Sequence, residues 1–194
     1  MIRYNQIEKI MSVNGIIAEP SLQTKNLFCY LTDVDVSPFE LFSQKYAKIL
    51  YDYCPPLSKV TIQVYALSKK AMDEDNIPSP YLYSVSENMC VKLGFNKDMI
   101  YDMALTIAEQ MAAIAHEIGH IIYQFLENKT YYSEESFADE VVCKLGLTTE
   151  IYSVLCKLEN SGFYSDSCAR FEMRKVYVSK YCKNNSNIDG VLIR

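Results

Sequence analysis

The chain has 194 residues, 49% of them hydrophobic and 22% charged, with a formal net charge of −5. That length suits one domain with a real core. The acidic balance and the lack of any Lys/Arg stripe speak against nucleic-acid binding, and no apolar run approaches the roughly 20 residues of a bilayer span.

The first stretch, Met1 to Gly15, is interrupted by Arg3, Glu8 and Lys9. It therefore lacks the unbroken apolar region of a secretory signal. Seven cysteines, odd in number and without a Cys-x-x-Cys pair, argue against a disulfide framework and a cysteine metal site. Reduced, mostly buried thiols and a cytoplasmic location are the expectation.

Ser37 to Tyr53 reads as a helix. Ser37 can cap it, Pro38 suits its first turn, and Phe39, Phe42, Tyr46, Ile49 and Leu50 recur at helical spacing. Cys54-Pro55-Pro56 ends it. Val60 to Leu67 alternates as a strand, and Lys69 to Pro80 is a polar loop. Tyr81 to Val85 and Met89 to Leu93 read as a hairpin or as two short edge strands around Ser86-Glu87-Asn88.

From about Asp102 to Glu127 the period becomes helical, through Met103, Ile107, Met111, Ile114, Ala115, Ile118, Ile122 and Phe125. Thr130 to Ser133 forms a loop. A second helix runs from about Glu134 to Leu145 and stops at Gly146. Further helices cover Thr149 to Leu158 and Ala169 to Tyr181. The expected class is α+β. The expected organisation is one domain over 1–194: a helical extension over 1–55, a core over 56–182 and a tail over 183–194.

Both histidines of the chain lie in His116-Glu117-Ile118-Gly119-His120. Four residues along a helix give about 40° of rotation and about 6 Å of rise. Both imidazoles therefore leave one face and can hold one ion, with Glu117 beside them to take a proton from water. A shuffled chain would show this arrangement on the order of once in a thousand trials, so chance is a poor account of it. Two surface histidines are the plainer alternative. It fits badly with Ala112, Ala113, Ala115, Ile118, Ile121 and Ile122, which make the helix apolar nearly all round.

Zinc held by two histidines needs a third protein ligand and an open position. With no other histidine, that ligand is a carboxylate. Glu127 lies too far along the same helix. Glu135, on an antiparallel return, is the assignment, with Glu134 and Asp139 as alternatives. Asp139 is expected to hold one histidine ring by its free N–H. Gly119 and Ala138 are small enough to let the two helices approach closely. Two imidazoles and one carboxylate leave a zinc site at net +1, which favours ionisation of water and polarises a carbonyl.

His116-Glu117-Ile118-Gly119-His120 followed by Glu135-Ser136-Phe137-Ala138-Asp139 resembles the gluzincin clan of metallopeptidases, whose pattern is H-E-x-x-H and then E-x-x-A-D. The surroundings, Asn88 to Gly94 and Glu109 to His120, look most like the HtpX-like and CAAX-protease-like peptidases. Peptidases of the ImmA/IrrE type share the same motifs. The resemblance spans about residues 80–160. The chain lacks the membrane helices of HtpX-like enzymes and their later histidine-proline element.

The resemblance implies a zincin-like fold, a small mixed sheet packed on the active-site helix pair with further C-terminal helices. It also implies a zinc-dependent endopeptidase with a peptide or protein substrate. That substrate would lie as an added strand along Tyr81 to Val85 or Met89 to Leu93. Glu117 would be the general base. Arg170 and Arg174 sit near where a structural or catalytic arginine would fall. They are candidates to steady the transition state, and a surface salt bridge is the plainer role for each. The alternative function is a regulatory or binding protein of the ImmA/IrrE type that keeps the metal site but cleaves one partner or none.

Overall fold

A computed structural model describes residues 22–23, 27–30, 35–67, 82–87, 89–96, 101–126, 134–161 and 168–185. The expected loops at Lys69 to Pro80 and Thr130 to Ser133, and the tail beyond Asn185, lie outside these. The chain has an α+β composition and divides into two compact units, Met1–Ala104 and Leu105–Arg194. Among the described residues no helix is long and apolar enough to cross a membrane.

The first unit holds a five-stranded mixed sheet. Its strands are β1 (Leu22–Gln23), β2 (Leu27–Tyr30), β3 (Thr61–Leu67), β4 (Leu82–Glu87) and β5 (Cys90–Asn96), in the order β1-β2-β3-β5-β4. Strands β2, β3 and β5 run parallel; β1 and β4 pair antiparallel at the two edges. The sequence reading places residues 1–55 in a helical extension, but β1 and β2 belong to the sheet. They are too short to show a period of their own, and pairing with β3 defines them.

Helix α1 (Ser37–Tyr53) connects the parallel strands β2 and β3. Its start differs from the expected serine cap: Ser37 is the first helical residue, and its N–H and hydroxyl both donate to Asp35. Phe39, Phe42, Tyr46 and Leu50 are buried, whereas Ile49 is exposed. A 3-10 turn (Pro55–Lys59) then buries Leu57 before β3 begins. Cys29, Val64 and Leu93 sit opposite one another on β2, β3 and β5 and are fully buried. Burial pushes the Cys29 thiol up to about 12.

Strands β4 and β5 form the expected hairpin, with Glu87 opposite Cys90. Met89 adopts φ 62° in the connection, as a two-residue hairpin turn requires. One expectation is corrected here. Strand β5 is paired on both sides, so Met89 to Leu93 cannot accept an added strand; among the described residues the edge on that side of the sheet is β4.

The second unit is helical. Helix α2 (Ile107–Gln124) starts later than expected. Ala104 takes a left-handed φ of 47°, which breaks the helical path through Met103. Thr106 then begins the helix properly. Its hydroxyl accepts the Glu109 N–H while the Glu109 carboxylate accepts the Thr106 N–H, a reciprocal capping box. The Glu109 side chain also takes Ser153 and Lys157 at 2.6 and 2.8 Å.

Helix α3 (Glu134–Lys144) ends at Gly146, whose φ of +76° suits glycine at a helix terminus. The Gly146 and Leu147 N–H groups bond back to Cys143 and Val142 there. Helix α4 (Thr148–Asn160) and helix α5 (Cys168–Asn185) follow. The last runs past the expected end at Tyr181, into the segment read as tail. Helix α2 packs on α3 and α4, and α5 packs on the same two.

Candidate metal centre

Helices α2 and α3 cross where both have lost their side-chain bulk. A Cβ on Gly119 would meet the Ala138 Cα at 2.6 Å, so only glycine permits this approach. The pairing runs in opposite senses along the two helices: His116 meets Asp139, and one turn later His120 meets Glu134. The close crossing therefore delivers the histidines of one helix to the carboxylates of the other.

His116, His120 and Glu135 form a group whose ligating atoms all lie within 4.8 Å of one another. The two Nε2 atoms are 3.1 Å apart. Glu135 Oε2 lies 3.5 Å from His116 Nε2, and its Oε1 lies 3.8 Å from His120 Nε2. Ligands about 2.0–2.1 Å from a tetrahedral ion would be about 3.3 Å from each other. The histidine–histidine separation is close to that value, and each Glu135 oxygen lies 3.5 or 3.8 Å from one of the two nitrogens, so the three residues could hold a zinc-sized ion.

The ring tautomers point the same way. His116 Nδ1 is 2.9 Å from Asp139 Oδ1, and His120 Nδ1 is 3.3 Å from Glu134 Oε1. A carboxylate at Nδ1 holds the ring proton there and leaves the Nε2 lone pair for the centre. With both rings in that tautomer, two lone pairs face each other at 3.1 Å, an arrangement that a proton or a metal ion between them would relieve.

The electrostatics describe the proton case. Burial and the Arg174 charge push the His116 pKa down, but its hydrogen bonds to Asp139 and Glu135 outweigh them and lift it to about 9. Burial and the neighbouring His116 charge drop His120 to about 4. The pair therefore carries one proton at neutral pH and refuses a second. Burial opposes ionisation of Glu135, yet its contact with His116 and the charges of His116 and Arg174 hold the carboxyl well below its usual range.

Arg174, on α5, is not the surface ion pair that was the plainer expectation. Its Nε and Nη2 donate to the two oxygens of Asp139 at 2.8 and 2.6 Å, and Nη1 lies 3.0 Å from Glu135 Oε2. The guanidinium and His116 Nδ1 both reach Asp139 Oδ1, and Arg174 Nη2 lies 3.2 Å from His116 Nδ1 and 3.4 Å from His116 Nε2. The Asp139 side chain is wholly buried. Burial opposes its charge, and Arg174 with His116 holds it ionised.

Glu117 is buried on α2, and its charge reaches Arg174. Arg170 lies on α5, with its side chain outside the described residues. The sequence offers Glu134 only as an alternative third ligand and gives Gln124 no role, whereas Glu134 lies beside His120 Nδ1 and accepts from Gln124. The signal was present in part, since Gln124 is one turn past His120 on the same stripe. For Arg174, placed 35 residues beyond Asp139, no local signal exists.

Comparison of the chain with models of known families, with curated proteins and with solved structures returns no match, so the reading of the centre rests on its own geometry.

Proposed function

We propose that the chain is a zinc-dependent endopeptidase, with the ion held by His116, His120 and Glu135. The convergence of two Nε2 lone pairs and one carboxylate at near-tetrahedral spacing carries this reading. The zincin-like character suggested by the two motifs, and a peptide or protein as substrate, belong to the same proposal. An ion bound there supplies a Lewis acid and brings water towards ionisation near neutral pH.

The chain's own residues do the rest. Asp139 fixes His116 in the tautomer that offers Nε2, and Arg174 keeps Asp139 ionised while bracing Glu135. Glu117 accepts the proton of the attacking water and returns it to the leaving amine. His116, His120 and Glu135 would supply three ligands, a set that in hydrolytic sites accompanies an open position and differs from closed structural sites.

The test is elemental analysis of purified protein, then digestion of a peptide library by wild type and by Glu117→Gln. Stoichiometric zinc in both, with cleavage by wild type only and none after chelation, is the expected result. Cleavage by Glu117→Gln at the wild-type rate would remove Glu117 from the mechanism.

A further inference from the structure

Glu134 is the first residue of α3 and reads as a solvated acidic helix start, favoured there by the helix dipole. Its contacts say more. Glu134 Oε1 lies 3.3 Å from His120 Nδ1 and accepts the Gln124 side-chain N–H at 3.0 Å. Gln124 follows His120 by one turn on α2, so helix α2 supplies both the ring and the amide that converge on this oxygen. His120 Nε2 faces the other way, towards His116 Nε2 and Glu135 Oε1. A neutral imidazole has one N–H. With Nε2 turned to the centre, the N–H falls on Nδ1, and the group nearest it on α3 is the Glu134 carboxylate at 3.3 Å.

We infer that Glu134 is a positioning residue for His120, doing on the open side of the centre what Asp139 does for His116 on the closed side. The inference rests on the metal reading proposed above. The two carboxylates differ in burial: the Asp139 side chain is wholly buried, whereas that of Glu134 is 44% exposed. Water competes for Glu134, so Gln124 is needed to keep its oxygen on the ring. The effect of removing Glu134 falls at the lower end of the 10–100-fold span typical of such outer partners.

The 194-residue chain is titrated with Zn2+ against a chelator of known affinity, as wild type, Glu134→Ala and Glu134→Gln. Thermal unfolding of the metal-free forms and the visible spectrum with Co2+ are recorded alongside. Glu134→Ala is expected to weaken Zn2+ about tenfold and to shift the Co2+ bands. Glu134→Gln keeps an acceptor oxygen and is expected to stay within about threefold of wild type, with its bands restored. A merely structural helix start would move the unfolding temperature and leave the Co2+ bands alone. Zinc affinity in Glu134→Ala within about twofold of wild type, or a glutamine variant no better than the alanine one, overturns the inference. Wild-type protein that binds no zinc removes the whole centre, and so is distinguishable from a failure confined to Glu134.

Discussion

His116 Nε2 and His120 Nε2 stand 3.1 Å apart, with each ring's Nδ1 turned outward to a carboxylate. With His116 raised to about 9 and His120 lowered to about 4, the metal-free pair holds one proton at neutral pH, which a divalent ion would replace.

Zinc uptake at pH 7 should therefore release about one proton, because the pair holds one up to about pH 9. Affinity should rise about tenfold per pH unit up to that value and level off above it. Calorimetric titration in two buffers of different ionisation enthalpy measures the release directly. Zero release at pH 7 would contradict the shared proton.

The same proton shapes stability without metal. His116 is raised from 6.5 to about 9 and His120 is lowered from 6.5 to about 4. Between about 4 and 6.5 the unfolded chain binds both protons and the folded chain one, so stability falls as pH falls. Between 6.5 and about 9 the unfolded chain binds neither and the folded chain still one, so stability falls as pH rises. The metal-free protein should be most stable near pH 6.5, losing about 1.4 kcal/mol per pH unit on either side. Urea unfolding with chelator at pH 5, 6.5 and 8 checks this. A midpoint that climbs steadily from 5 to 8 would rule it out.

Gly119→Ala should destabilise the second unit. The added methyl meets the Ala138 backbone at 2.6 Å, and backbone cannot swing aside. Overpacking costs about 1–3 kcal/mol, against a helix-propensity gain of about 1 kcal/mol. A net loss of about 1 kcal/mol is expected, together with weaker zinc binding as the α2 histidines draw away from Glu135. A variant more stable than wild type, with unchanged zinc affinity, would show that the close crossing is not needed.

Arg174→Met should cost about 3–5 kcal/mol in chemical denaturation, because it leaves the Asp139 carboxylate buried without its bidentate partner. Arg174→Lys should recover only part of that loss. A single ammonium cannot span both Asp139 oxygens and Glu135. Equal midpoints for wild type and Arg174→Met would mean that the brace carries no load.

Much of the centre was legible in the residues alone. His116 and His120 are the chain's two histidines, and four-residue spacing on an apolar helix already puts them on one face. Asp139 was legible by the same periodicity, one turn past Glu135. Even the true start of α2 was written in Thr106-Ile107-Ala108-Glu109, which fits the capping-box pattern; the apolar Met103 drew the expected helix one turn too early.

What the sequence by itself determined was local: periods, caps, and which side chains leave a helix together. Tertiary structure alone decided what meets across elements. It made Arg174 a buried brace, made Glu134 the partner of His120, recruited β1 and β2 to the sheet, and put β5 inside that sheet. The physical reason is that a helix face follows from a 3.6-residue repeat carried within the chain, whereas a contact between helices or strands depends on their approach and register, which no single segment encodes.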